Sequence, residues 1–140
     1  MREILFRGQT RKYGEKVRMC DGQKLPGRWV YGGVLQGVGD HSIIYGGENE
    51  NDPSEGLEKW CVHTDTLGQF TGLTDKNGKR IFEGDILRFH GRVNYPVFWD
   101  ADYGAFGSCY YRDFDILSHY DRKKIEVIGN IHDNPELLEE

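Results

Sequence analysis

Apolar positions in this chain come in short runs separated by turn residues. Ile4-Leu5-Phe6 predicts a first strand, and the polar stretch from Gln9 to Lys16, with Gly14 inside it, a loop or hairpin tip. Arg28 to Gln36 alternates around Trp29, Tyr31, Gly33 and Leu35, the pattern of a strand bent at its glycines. Ser42 to Tyr45 predicts a short strand. Lys59 to His63 predicts another, with Trp60 and Val62 on one face and Cys61 and His63 on the other, because side chains alternate along a strand. Between these two lies Gly46 to Gly56, polar and acidic with Pro53 inside, which reads as a mobile loop and a candidate boundary.

The densest turn chemistry lies between Gly68 and Phe89. Asn77-Gly78 is the strongest short-range hairpin signal, since both residues tolerate the positive φ of a type I′ turn. Glu83-Gly84-Asp85 predicts a tight corner: Gly84 permits it, and Asp85 is suited to bond nearby backbone amides. In Ile86-Leu87-Arg88-Phe89 the expected buried pair is Leu87 and Phe89, with Ile86 at the strand start. Gly91 to Trp99 reads as a strand interrupted or edged by Pro96, paired with Gly104 to Tyr111 across the tip Asp100-Ala101-Asp102-Tyr103. Phe114 to His119 suggests a short helical turn, and Lys124 to Ile131 a final strand. Asn134-Pro135-Glu136 predicts a short terminal helix, with Asn as N-cap, Pro in the first turn and an acid at the positive end of the dipole. The chain is therefore expected to be mainly β. An irregular N-terminal β region, 1–66, precedes a small SH3-like barrel from about Leu67 to Ile131 within 67–140, the two forming separate units or one compact domain.

Composition narrows the function. A chain of 140 residues buries roughly 65–70% of its extended surface, enough for a core without staples. Its 19 glycines exceed the roughly 10 expected and sit among aromatic and β-branched residues, so they mark turns. A net charge of −5 argues against broad capture of nucleic-acid phosphate while leaving room for a local basic patch. Cys20, Cys61 and Cys109 are odd in number and contain no C-x-x-C pair, which fits a reduced cytoplasm rather than a disulfide framework. Neither a signal peptide nor an apolar stretch of spanning length is visible, so no membrane association is expected.

Candidate chemistry is sparse. Asp100 and Asp102 sit on one side of an extended segment, where a third acid would make a Mg²⁺ or Ca²⁺ site; a solvated hairpin tip is the favoured reading. Cys61 and His63, with Cys109 and His119 later, offer one Cys-x-His pair but no partner pair of the usual zinc spacing. Phosphate-cradling loops, nucleophile elbows and helix-turn-helix patterns are lacking, and neither catalytic residues nor a cofactor is expected. The best candidate binding face is the aromatic and arginine cluster Arg88, Arg92, Tyr95, Trp99, Tyr103, Tyr110 and Tyr111, with Phe98 and Phe106 assigned to the core. Such side chains anchor protein partners or stack single-stranded bases.

The stretch from Gly68 to Phe89 resembles the YopX family of phage and prophage proteins. Three other segments extend the likeness: Met1-Arg2-Glu3-Ile4-Leu5-Phe6-Arg7, Trp29-Val30-Tyr31-Gly32, and the closing run from Ile125 to Leu138. The resemblance implies phage or prophage origin and small size, and carries no catalytic residue with it. The expected function is that of a non-enzymatic accessory protein in the host cytoplasm, binding a host or phage protein. A single-stranded nucleic-acid-binding barrel is the alternative, disfavoured by charge, and a metal-dependent hydrolase the lesser one. Exposed strand edges make a homo-oligomer a further expectation.

Overall fold

A computed structural model of the chain describes residues 3–10, 17–18, 24–25, 29–37, 39–45, 59–109 and 114–138. The protein is mainly β, with 55% strand and 13% helix, and its sheets are antiparallel. It divides into two units, Glu3–Gln69 and Phe70–Glu140, the latter together with Met1–Arg2.

In the N-terminal unit, β1 (Phe6–Gln9) lies beside β4 (Trp29–Leu35), followed by β5 (His41–Tyr45) and β6 (Lys59–His63); β2 (Val17–Arg18) and β3 (Lys24–Leu25) form a separate pair. The first residues of β7 (Gly68–Thr74) pair with the other edge of β1, Arg7 opposite Gly68. Val30, Ile44 and Val62 make the core, with Phe6, Val34, Trp60 and Leu67 packed around them. The first strand lies later than Ile4-Leu5-Phe6 and takes in Gln9, which was expected in a loop. Polar contacts draw it there. The Gln9 amide donates to Thr66 Oγ1 at 2.8 Å, and the Arg7 guanidinium stacks 4.7 Å over Trp29. Gly8 permits the crossing, since a Cβ there would lie 2.8 Å from Val62 Cγ2. The expected loop from Gly46 to Gly56 lies outside the described residues.

In the C-terminal unit, the rest of β7 pairs with β8 (Arg80–Phe82). β9 (Asp85–Phe89) is the centre of a sheet between β10 (Val93–Pro96) and β14 (Ile125–Asn130). A second sheet joins β11 (Phe98–Asp100), β12 (Ala105–Ser108) and β13 (Asp115–Ile116). Ile81, Leu87, Phe89, Val97, Leu117, Ile125 and Val127 form the core, with Phe106 and Tyr120 packed against it. Ile86 is also fully buried, although it shares the face of Arg88 and not that of Leu87. That second face is partly covered: Asn94, paired with Arg88, donates from Nδ2 to the Leu137 carbonyl and so ties down the chain's last turn.

One local expectation needs correction. Asn77-Gly78 does not form a type I′ turn. Of the two only Gly78 has positive φ, 78°, and its amide donates to the Asp75 carbonyl. The loop is longer because Asp75 Oδ1 accepts the amides of Asn77 and Lys79, closing the hairpin from Asp75 to Lys79. Consecutive left-handed residues occur instead at His90 (φ 53°) and Gly91 (φ 68°), where the Arg92 amide donates to the Phe89 carbonyl. Gly91 to Trp99 is interrupted next to Pro96, one of the two expected forms. It breaks at Val97, whose amide and carbonyl bond Asp85 and Gly84. The expected short terminal helix forms as a 3₁₀ helix, Pro135–Leu138, and Asn134 Oδ1 accepts the Asn130 amide.

The Glu83-Gly84-Asp85 corner forms as its residues suggest: Gly84 has φ 89°, and Asp85 Oδ2 accepts the Phe82 amide at 2.7 Å.

Candidate anion-binding groove

Cationic side chains converge on one side of the C-terminal unit, and buried hydrogen bonds fix the backbone that carries them. Asp75 starts the construction. Its carboxylate is buried and accepts three backbone amides: Asn77 at 2.8 Å, Lys79 at 2.9 Å and, through Oδ2, Val127 at 2.9 Å. Next to it, the Lys76 amide donates to the Ile125 carbonyl. The β7–β8 turn is thereby stitched to β14, and Lys76 Nζ stands 3.3 Å from Glu126 Oε2.

The opposite wall is the 3₁₀ turn Arg122–Lys124. Asp121 caps it, its Oδ1 accepting the Lys123 amide at 3.0 Å. The Lys124 carbonyl then accepts the His90 amide, which fastens this basic run to the β9–β10 turn. His90 is the one non-glycine residue with positive φ among the described residues. Strain of this kind persists only where surrounding structure holds it. Arg88 completes the lining from the middle of β9, with Nε donating to Asn94 Oδ1 at 3.2 Å.

Two hollows result, sharing Lys76 and Lys123. One, of about 660 Å³, runs past Leu73, Tyr120 and Arg122; the other, of about 220 Å³, is bounded by Arg88, His90 and Lys124. Their walls carry five fixed cations, Lys76, Arg88, Arg122, Lys123 and Lys124, against three carboxylates, Asp75, Asp121 and Glu126. All three carboxylates are already engaged, by backbone amides or by Lys76. A chain of net charge −5 thus holds a locally positive groove.

Of the residues expected to form one aromatic face, those described lie in several places. Arg88 lines the groove, and Arg92 is exposed in the β9–β10 turn beside it. Tyr95 turns toward the core, its ring 6.2 Å from that of Phe89. Trp99, 49% exposed, lies edge-on to Phe106 across β11 and β12. Tyr103, 64% exposed, stacks on Phe114, which also contacts Phe98. Because Phe98 and Trp99 are neighbours on one strand, these two aromatic groups lie on opposite faces of their sheet. Phe98 is half-buried outside the main core cluster, and Phe106 packs against that cluster. Tyr110 and Tyr111 fall outside the described residues.

The acidic tip is occupied by its own backbone: Asp100 Oδ1 accepts the amides of Asp102 and Tyr103. His119 Nδ1 pairs with Asp115 Oδ1 at 2.7 Å, and Cys61 is exposed. Among the described residues no three His, Cys, Asp or Glu side chains cluster as a metal site.

Lys76, His90 and the run Arg122-Lys123-Lys124 escape a reading of the sequence for function. The run itself is visible, but the tertiary bonds of Asp75 and His90 that bring it to Lys76 and Arg88 are not.

A family model described as YopX protein matches residues 24–139. In the crystal structure of protein EF1440 from Enterococcus faecalis, a chain 22% identical in sequence superposes with a TM-score of 0.52, covering 99% of this chain and 100% of that one. That likeness bears on the fold. None of the curated proteins compared matches the chain.

Proposed function

We propose that this chain, which belongs to the YopX family, is a non-enzymatic interaction module whose basic groove receives an acidic segment of a partner protein. The observation that carries the reading is the cluster of five fixed cations around two joined hollows in an otherwise acidic chain. Positive lining in a concave surface attracts carboxylates. The partner is a host or phage protein, and the setting is the cytoplasm of a cell carrying a phage or prophage. Closure of the C-terminal sheets into an SH3-like barrel belongs to the same proposal.

Single-stranded nucleic acid is the second reading, favoured by the run Arg122-Lys123-Lys124 opposite Lys76 and Arg88. Two features favour the acidic peptide over it. A nucleic-acid strand continues past the groove onto a surface of net negative charge, whereas a short acidic segment ends within it. Stacking rings also lie elsewhere: Tyr120, the aromatic residue of the groove, packs on Phe89 and donates its hydroxyl to the Ser108 carbonyl.

The test is a tagged pull-down from host lysate with the wild type and with the double variant Lys123→Glu/Lys124→Glu, each with and without nuclease. A protein retained by the wild type after nuclease and lost by the variant supports the reading. Recovery abolished by nuclease transfers the groove to nucleic acid.

A further inference from the structure

The N-terminal sheet carries a paired imidazole site on its solvent face. Along β5 the side chains alternate: Ser42 and Ile44 are buried, while His41, Ile43 and Tyr45 are exposed. His41 pairs directly with His63 of β6. The Thr64 amide donates to the Asp40 carbonyl at 2.8 Å, one step further along the same register. Bonded and non-bonded pairs alternate in an antiparallel ladder, so His41 and His63 occupy a non-hydrogen-bonded pair, where side chains stand closest. Their ring centroids are 4.9 Å apart, with the planes inclined at 40°.

Two imidazoles at this separation, projecting from one face of a rigid sheet, suit a borderline transition metal ion such as Zn²⁺. Each ring needs to offer only one nitrogen. Structural zinc takes four ligands, however, and the described residues supply no third His, Cys, Asp or Glu within the cluster. The next row on the same face is apolar: Leu35, Ile43 and Cys61 lie side by side across three strands, with Leu35 62% exposed. Beyond it Tyr45, also exposed, lies over Gly33, where a Cβ would meet the ring at 3.0 Å.

We propose that His41 and His63 are half of a zinc site completed by the same two residues of a second copy. A two-fold axis through the metal supplies four imidazoles and sets the Leu35 and Ile43 rows of the two copies against each other. The metal supplies the orientation, and the apolar row adds buried area. This site lies in the N-terminal unit and stands independently of the basic groove.

The experiment is sedimentation velocity of the full chain, first stripped with EDTA and then titrated with zinc sulfate, with bound zinc measured by elemental analysis. The expected result is a doubling of mass at one zinc per two chains, reversed by EDTA. His41→Gln and His63→Gln each abolish the doubling while remaining folded in EDTA, and Leu35→Ser weakens it with both histidines intact. Zinc bound at one per chain without a mass change overturns the proposal. So does a dimer that forms equally in EDTA, or one that survives in either histidine variant.

Discussion

The carboxylate of Asp75 accepts the backbone amide of Val127 at 2.9 Å, although 52 residues separate them. The same side chain closes its own turn through Asn77 and Lys79, so one buried carboxylate sets both the shape of the hairpin and its distance from β14. Hydrogen bonds to charged acceptors are each worth about 1.5–3 kcal/mol net, and removing the acceptor leaves the Val127 amide buried without it. Asp75→Ala is expected to destabilise the C-terminal unit by about 3 kcal/mol. Asp75→Asn is expected to recover part of the loss, because its amide oxygen still accepts the turn amides. Urea unfolding, followed by the fluorescence of Trp99 in a Trp29→Phe/Trp60→Phe background, checks both.

His90 holds a left-handed conformation, φ 53°, at the mouth of the groove. Left-handed backbone costs a non-glycine residue about 1–2 kcal/mol, more for a β-branched one. His90→Gly is expected to stabilise the unit and His90→Val to destabilise it by about 1–2 kcal/mol beyond the histidine. Thermal melts of the two variants against the wild type give the order.

Gly107 lies in β12 where a Cβ would come within 2.1 Å of the Asp115 carbonyl oxygen and 2.5 Å of the Phe114 ring. Backbone yields less readily than a flexible side chain, so Gly107→Ala is expected to cost about 1–3 kcal/mol and to loosen β13. A thermal melt of the variant against the wild type checks it. Gly78→Ala provides a contrast: nothing lies within 4 Å of a Cβ there, and its cost arises from φ 78° alone.

Much of the fold is legible in local chemistry. Lys59–His63 forms the expected strand with Trp60 and Val62 inward, because alternation and β-branching agree there. The Gly84 corner and its Asp85 bond follow from turn chemistry within four residues. What escaped depends on a competing local side chain in one case and on partners distant in sequence in the others. Asn77-Gly78 carries the residues of a type I′ turn, yet Asp75 captures the loop amides and imposes a longer one. His90-Gly91 takes consecutive left-handed residues without the usual Asn-Gly signature, its histidine amide held by Lys124 from the far end of the unit. The groove shares this origin. Arg88 is visible as a candidate, whereas Lys76 and Lys123 become neighbours only through those long-range bonds. Of the aromatic candidates, alternation on β11 sets Trp99 on the face opposite Phe98, and Tyr110 and Tyr111 fall outside the described residues.

The groove's charge makes its own prediction about salt. Surface attraction falls with ionic strength over a Debye length of about 8–10 Å near physiological salt. Binding of an acidic peptide should therefore weaken several-fold from 50 to 200 mM NaCl, and Arg88→Gln should reduce affinity without altering the melting temperature beyond about 1 kcal/mol of stability.

The most direct test of the central claim is fluorescence anisotropy with two labelled probes, a ten-residue glutamate-rich peptide and a ten-nucleotide single-stranded DNA, titrated with the wild type and with Lys123→Glu/Lys124→Glu. The account predicts saturable binding of the peptide by the wild type, weaker binding of the DNA, and loss of peptide binding in the variant. Tighter binding of the DNA, or equal peptide binding by both proteins, would contradict it.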